Sequence, residues 1–214
     1  MSEPRVSAIV LAGGRSSRFG RDKLVEPLAG RTLLEHAIAA VGPLARETIV
    51  VGRQNATPRL AGGTVLLHDP SPFEGPLVGL LTGLRGATQP ITLVVGGDMP
   101  TMVRSVLEAL IARLDDPTVD ATVLEDAGRD RPLPSAVRTA PATAIAERLV
   151  AAGERRLGAL FEALPTGVID EPTWHTLDPA GMTLRDIDAP ADVLQASVWL
   201  SLRARRPRRP GGRR

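Results

Sequence analysis

The stretch VSAIVLAGGRSSRFGRDK, residues 6–23, sets the expected fold of this chain. It opens with a short apolar run of the kind found in buried strands, and the run breaks into two adjacent glycines. Glycines after a strand let the backbone approach a ligand and present N–H groups to an anion, although ordinary turns also use them. Because Arg15, Arg18 and Lys23 follow in the same loop, the pattern favours phosphate binding over an ordinary turn.

Downstream of this loop, short apolar runs alternate with segments of helical spacing. The pattern predicts helices over residues 32–41, 75–84 and 104–114, and further strands over residues 47–51, 64–67, 91–95 and 121–124. Strands that alternate with helices need crossover connections. We therefore expect an α/β fold: a three-layered, mostly parallel, twisted sheet of the doubly wound nucleotide-binding type. Ligands of such sheets bind beyond the carboxyl ends of the strands, where the glycine-rich loop falls.

The composition is that of one globular domain followed by a basic tail. The chain has 214 residues, of which 43% are hydrophobic, and we expect a single domain over residues 1–202. Cysteine is absent, which excludes disulfides and thiolate metal sites. The chain lacks both the roughly 18 consecutive apolar residues of a membrane span and the layout of a signal peptide. A cytoplasmic protein without a membrane contact is expected.

Residues 203–214 form the tail and carry seven arginines and no acid. Without these arginines, 19 basic residues face 24 acidic ones, so the basic pI belongs largely to the tail. Proline and glycine interrupt the tail, and it has almost no apolar surface to bury, so we expect it to be disordered. Its charge would attract nucleic acid, but a solvated extension explains the composition better, and we expect no nucleic-acid partner.

Lys23 is the single lysine of a chain that contains 25 arginines. A chain so biased toward arginine has little need of lysine for a generic surface cation. Lysine carries a compact ammonium on a flexible stem and suits a point contact with phosphate, whereas arginine is a planar fork. Its place in the glycine-rich loop therefore predicts that Lys23 contacts phosphate.

Asp98 stands at the end of the predicted strand over residues 91–95, after two glycines. Magnesium prefers hard oxygen ligands and commonly takes one or two carboxylates together with phosphate oxygens. An aspartate here can also cap the next helix, because Pro100 and Thr101 are typical of a helix entrance. Opposite a phosphate-binding loop, the metal ligand is the favoured interpretation.

Asp69 ends the third predicted strand, ahead of a Gly-Pro-Leu segment at residues 75–77. Its carboxylate is suited to accept hydrogen bonds from a base or a ribose. The same residues fit a turn at Asp69–Pro70 and a plain loop-to-helix junction at Gly75–Pro76, so both interpretations stay open.

At this point the sequence resembles a known family. The segment LAGGRSSRFGRDK, residues 11–23, is similar to the signature LAGGxSxRMGxDK of molybdenum cofactor guanylyltransferases of the MobA type. Weaker matches follow in family order: FEGPLVG at 73–79, GDMP at 97–100, RPLP at 131–134, GERR at 153–156 and DIDAPAD at 186–192. Similar cytidylyltransferases usually carry LAAG instead, and sugar-phosphate nucleotidyltransferases are typically longer.

The resemblance implies transfer of GMP from GTP to the molybdopterin-bound molybdenum cofactor, with Mg²⁺ as cofactor and pyrophosphate as the second product. It implies that Asp98 binds both Mg²⁺ and GTP, and that the other nucleotide contacts are Leu11, Ala12, Gly13, Gly14, Lys23 and Asp69. For catalysis, neutralisation of the phosphates draws on Lys23, on Mg²⁺ at Asp98, and on Arg18 or Arg15. A nucleotidyltransferase that uses CTP or another phosphorylated acceptor stays open, as does, less favoured, a non-catalytic nucleotide-binding regulator.

The acceptor's phosphate monoester is largely a dianion at neutral pH, so the reaction needs no general base. We therefore expect no catalytic role for His36, His68 or His175. Arg155 and Arg156 are candidates for the acceptor side, and a pair of solvated cations is an equally good interpretation of them.

Two positions depart from the family pattern. Gly52 stands where the family often has an asparagine that contacts the nucleotide. Asp186 and Asp188 stand where the family commonly shows asparagines. The second departure concerns the acceptor side in particular.

Overall fold

A seven-stranded sheet forms the centre of the computed structural model, which describes residues 5–13, 23–54, 58, 60, 63–69 and 75–204. Its strands are β1 (Val6–Ala12), β4 (Glu47–Gly52), β5 (Thr64–His68), β6 (Ile91–Gly96), β7 (Ala121–Asp126), β8 (Arg129–Arg138) and β9 (Thr166–Ile169). A small antiparallel hairpin is made by β2 (Pro27–Leu28) and β3 (Arg31–Thr32).

The strand order is β5-β4-β1-β6-β8-β7-β9, and β8 runs antiparallel to both of its neighbours. The other pairings in this sheet are parallel. The expected α/β fold with a mostly parallel sheet is therefore confirmed. The predicted strands all form, but β8 was not predicted, because its first half is charged and contains Pro132 and Pro134 instead of an apolar run.

The helices are α1 (Leu33–Val41), α2 (Pro76–Gly86), α3 (Arg104–Arg113), α4 (Thr139–Ala151), α5 (Gly158–Ala163), α6 (Glu171–Leu177) and α7 (Pro190–Ala204). The three predicted helices are confirmed as α1, α2 and α3. Thr32 caps α1 in a capping box, in which its hydroxyl accepts from the backbone N–H of Glu35. None of the described helices is long and apolar enough to cross a membrane.

Two apolar clusters lie on opposite faces of the sheet. Helices pack on both faces through these clusters, which gives the predicted three layers. Side chains of β1 alternate between them: Val10 packs in the cluster that contains α1 and α3, and Ile9 packs in the cluster that contains α2, α4 and α5. Both side chains are fully buried. The sheet thereby becomes a rigid support, and the ends of its parallel strands are held in register.

The C-terminal segment returns to the carboxyl edge of the sheet. Ala196 of α7 packs with Leu28, Leu33 and Ile187 in a third apolar cluster against the hairpin. The backbone N–H of Ile187 donates to the carbonyl of Asp98 at 3.0 Å. This packing brings the loop before α7 next to the end of β6. Helix α7 continues to Ala204, two residues past the expected domain end, and the tail beyond it, residues 205–214, lies outside the described residues.

Gly75, immediately before α2, has a φ of +104°, which residues with a side chain rarely adopt. A Cβ atom there would lie 2.8 Å from both the Cβ and the carbonyl oxygen of Arg155. We expect Gly75→Ala to lower the free energy of unfolding by about 1–3 kcal/mol, as measured by chemical denaturation. Gly42→Ala is the matched control, because Gly42 has a helical φ of −50° and open space around the added atom. Equal stability of the two variants would contradict the expectation.

Candidate active site

A cavity of about 400 Å³ opens at the carboxyl ends of the parallel strands. It is lined by residues that end strands or follow them: Leu11, Gly13, Val51, Asp69, Gly96 and Asp98, together with Gly75, Pro76, Gly79 and Leu133. Its volume lies within the usual range for small-molecule sites, roughly 300–1,000 Å³. The location is the one predicted for a ligand of this fold.

Lys23 and Asp98 form an ion pair at this edge of the sheet. The Lys23 ammonium lies 2.8 Å from Oδ2 of Asp98, and the Lys23 side chain is 11% exposed. Burial favours a lower pKa for Lys23, but hydrogen bonds to Asp98 and Asp188 outweigh it and raise the pKa above its usual value. Lys23 therefore carries its positive charge at neutral pH.

Asp98 does not cap the following helix. Helix α3 starts at Arg104, and Val103 is its N-cap residue. The turn that carries Asp98 is tied to β1 instead, because the N–H of Gly97 donates to the carbonyl of Leu11 at 2.9 Å. The helix cap is therefore not the role of Asp98, and its role as a metal ligand stays a prediction.

Two further carboxylates approach the same place from the loop before α7. Asp188 Oδ1 lies 2.9 Å from the Lys23 ammonium. Asp186 has its pKa raised to about 6, because the surrounding protein desolvates its carboxyl and the charges of Asp98 and Asp188 lie nearby. Part of the Asp186 surface still reaches solvent. The departures from the family pattern at these two positions thus border the Lys23–Asp98 pair.

The other end of the cavity combines a carboxylate with apolar walls. Asp69 is 9% exposed, and its backbone N–H donates to the carbonyl of Gly52 at 2.9 Å. A Cβ atom added at Gly79 would lie 3.7 Å from the Asp69 carboxylate, so the glycine keeps α2 close to it. Leu11 and Val51 line the same space. A buried acceptor between apolar walls suits a polar ring such as a nucleobase.

The structure describes most of the predicted site residues. Leu11, Gly13, Asp69 and Asp98 line the cavity, and Lys23 contacts Asp98. Ala12 is the last residue of β1, pairs with Gly52 and is buried. Gly14, Arg15 and Arg18 lie outside the described residues.

Of the two arginines considered for the acceptor, Arg155 belongs to the packing of the domain. Its Nη1 atom donates to the carbonyls of Val150 and Glu154, at 3.0 and 2.9 Å, and its backbone abuts Gly75. Arg156 is exposed and forms ion pairs with Glu154 and Glu162. This arrangement fits the solvated interpretation of Arg156 and gives Arg155 a structural role.

None of the three histidines is among the described residues that line the cavity. The Nε2 atom of His36 lies 2.7 Å from the carbonyl oxygen of Leu28, and Nδ1 of His68 lies 2.8 Å from that of Arg53. His175 borders a second cavity, beside Glu171. The expectation that the three histidines have no catalytic role stays a prediction.

The donor set around Asp98 suits a metal ion that is shared with phosphate. Among the described residues, no three His, Cys, Asp or Glu side chains are arranged to hold a metal by themselves. Mg²⁺ does not need such a cage, because it usually keeps waters and takes one or two carboxylates plus phosphate oxygens. Asp98, which lines the cavity, provides a carboxylate of this kind.

Several residues of the site were not identified from the sequence. Val51, Gly96 and Leu133 line the cavity, and Asp188 contacts Lys23. The advance signals for Asp188 were its position in the weak DIDAPAD match and its departure from the asparagine that the family commonly shows there; neither pointed to Lys23. Leu133 lay in the weak RPLP match and Gly96 in the glycine pair before Asp98. Val51 gave no signal, because an apolar residue near a strand end looks the same whether it faces the core or a cavity.

Comparisons with known proteins agree with this geometry. The MobA-like NTP transferase domain matches residues 8–167. A probable molybdenum cofactor guanylyltransferase from Chloroflexus aggregans is 34% identical over 203 residues, which cover 91% of this chain and 95% of the relative. A molybdenum cofactor guanylyltransferase from Burkholderia ambifaria is 31% identical and covers 74% of this chain and 82% of its own length.

Solved structures show the same fold at lower identity. The molybdopterin-guanine dinucleotide biosynthesis protein A from Archaeoglobus fulgidus superposes with a TM-score of 0.75 at 22% identity, over 92% of this chain and 99% of its own. The 2-C-methyl-D-erythritol 4-phosphate cytidylyltransferase from Thermus thermophilus superposes with a TM-score of 0.67 at 19% identity, over 90% and 98%.

Proposed function

Because the chain belongs to the MobA-like NTP transferase family, we propose that it is a molybdenum cofactor guanylyltransferase. It transfers GMP from GTP to the molybdopterin-bound molybdenum cofactor and releases pyrophosphate. The relatives that carry this name match most of the chain. The observation that carries the proposal is the Lys23–Asp98 pair, in which Asp98 lines the cavity at the carboxyl edge of the sheet.

The reaction is a displacement at the α-phosphorus of GTP. An oxygen of the acceptor's terminal phosphate forms the new bond to phosphorus, and the bond to the bridging β-phosphate oxygen breaks. Pyrophosphate leaves with that electron pair. The acceptor is already largely a dianion at neutral pH, so no side chain has to remove a proton. The protein's task is to bring two anions together and to neutralise the charge that develops on pyrophosphate.

The residues of the site divide this task. Lys23 provides a positive charge next to Asp98, where it can hold phosphate oxygens by charge-assisted hydrogen bonds. Asp98 would hold Mg²⁺, and when bound, that ion neutralises phosphate oxygens without any proton transfer. Arg18 adds a further cation in the proposal through its position in the glycine-rich loop.

The nucleoside end of GTP is proposed to occupy the part of the cavity around Asp69. The carboxylate is a pure acceptor, and the guanine ring offers N–H donors along one edge. Leu11 and Val51 provide apolar contact. Gly52 has no side chain that could contact the nucleotide. Its carbonyl oxygen accepts a hydrogen bond from the backbone N–H of Asp69, so Gly52 contributes to the site only through its backbone.

The proposal is tested by product formation. The chain is incubated with molybdopterin-bound molybdenum, Mg²⁺ and either GTP, CTP or ATP, and both pyrophosphate and the dinucleotide product are measured by chromatography. We expect product with GTP and little with the other two nucleotides. Product with CTP in place of GTP would identify a cytidylyltransferase, and nucleotide binding without pyrophosphate release would identify a regulator. Either result would overturn the assignment.

A further inference from the structure

The ammonium of Lys23 contacts oxygen atoms on two separate segments of the described chain. It lies 2.8 Å from Oδ2 of Asp98, 2.9 Å from Oδ1 of Asp188 and 2.9 Å from the carbonyl oxygen of Ile187. Asp98 follows β6, whereas Ile187 and Asp188 belong to the loop before α7. Lys23 is therefore held from two sides: by the end of β6 and by the loop before α7.

The loop that carries Asp188 is itself fixed. The Asp192 carboxylate accepts from the backbone N–H groups of Asp188 and Ala189, at 2.9 and 2.7 Å. Ile187 is 1% exposed in the apolar cluster with the hairpin, and its N–H donates to the carbonyl of Asp98. Asp188 consequently presents its carboxylate from a backbone whose position is determined on both sides.

The second carboxylate contact, from Asp188, restricts the conformations open to the Lys23 side chain. The lysine stem has four carbons joined by rotatable bonds, and holding it in one conformation costs rotamer entropy. A single carboxylate leaves the ammonium free to swing around that contact. Asp98 and Asp188 on different segments define one position between them, at the edge of the cavity.

We propose that Asp188 is a positioning residue that holds Lys23 beside Asp98, so that the ammonium is already in place when the phosphates of the nucleotide arrive. Asp188 acts through Lys23 and needs no contact with the nucleotide. The inference rests on the proposed function for the identity of the ligand. The placement of Lys23 itself rests on the contacts above.

The single lysine makes this proposal directly measurable. An amine-specific acylating reagent can modify only Lys23 and the N-terminal amine, and peptide mass spectrometry separates the two products. The Lys23 side chain is 11% exposed, so we expect slow acylation in the unaltered protein at fixed pH. In Asp188→Ala, acylation of Lys23 should rise about three- to tenfold, the scale of a partly exposed charge-assisted contact. Asp188→Asn should lie between them, because the amide oxygen still accepts one hydrogen bond.

Asp115→Ala is the matched control. It removes one exposed carboxylate just past the C-terminal end of α3, away from the contacts that hold Lys23 and Asp188. We expect Lys23 acylation in this variant to stay at the level of the unaltered protein. Equal acylation in Asp188→Ala and in the unaltered protein would overturn the proposal, and so would an equal rise in Asp115→Ala.

Turnover separates this proposal from the proposed function. We expect Asp188→Ala to raise the KM for GTP about three- to tenfold with a smaller change in kcat, and Asp188→Asn to recover part of the loss. If acylation changes as expected but the unaltered protein makes no guanylyl product, the proposed function fails and the positioning role stands. If the unaltered protein makes the product but Lys23 is acylated at the same rate in Asp188→Ala, the positioning role fails and the proposed function stands.

Discussion

Asp98→Asn is expected to reduce guanylyl transfer by at least about a hundredfold, the scale on which removal of one electrostatic stabiliser acts in other enzymes. The amide is neutral and a poor ligand for Mg²⁺, and it weakens the contact with the Lys23 ammonium 2.8 Å away. The fold should persist. The Asp98 side chain is 29% exposed, and loss of a partly exposed ion pair costs about 1 kcal/mol or less.

The measurement is pyrophosphate release at saturating GTP and acceptor over a series of Mg²⁺ concentrations. Asp115→Asn is the matched control, because Asp115 is an exposed aspartate just past the C-terminal end of α3, outside the cavity. It should leave turnover unchanged. Near-normal turnover of Asp98→Asn would show that the carboxylate charge has no part in catalysis.

Lys23→Ala is expected to weaken GTP binding by roughly 1.5–3 kcal/mol, the range for hydrogen bonds to charged groups. That corresponds to a Kd about ten- to a hundredfold higher, measured by calorimetry with Mg²⁺ present. The structure adds a second effect. Without the ammonium, Asp98 and Asp188 lose their contacts with it, at 2.8 and 2.9 Å, so we also expect a loss of about 1 kcal/mol in unfolding free energy.

Lys23→Arg tests whether positive charge alone is sufficient. The guanidinium is planar and cannot point three donors at Asp98, Asp188 and the Ile187 carbonyl as an ammonium does. We expect this variant to recover only part of the lost GTP affinity. Unchanged GTP binding by Lys23→Ala would rule out a phosphate contact, and full recovery in Lys23→Arg would show that the geometry around the ammonium is unimportant.

The parts of the fold that the sequence predicted are those with strong local signals. Strands β1, β4 and β6 are apolar runs bounded by glycine or polar residues, and α1 begins at a Thr-x-x-Glu capping box. Strand β8 could not be predicted in this way. Its first half is polar and lacks the apolar pattern of a buried strand. Backbone pairing with β6 and β7 keeps it in the sheet.

The site divides along the same line. The sequence by itself determined that a glycine-rich loop with one lysine follows the first strand and that Asp98 and Asp69 end later strands. It also placed all of them at one edge, because the carboxyl ends of parallel strands meet at the same edge of a sheet. Only the tertiary structure decided that Asp98 pairs with Lys23 instead of capping α3. It also brought Asp188 to Lys23 across 165 residues of sequence. That contact depends on the burial of Ile187 against the hairpin and on its backbone hydrogen bond to Asp98, and no local pattern encodes the meeting of such distant segments.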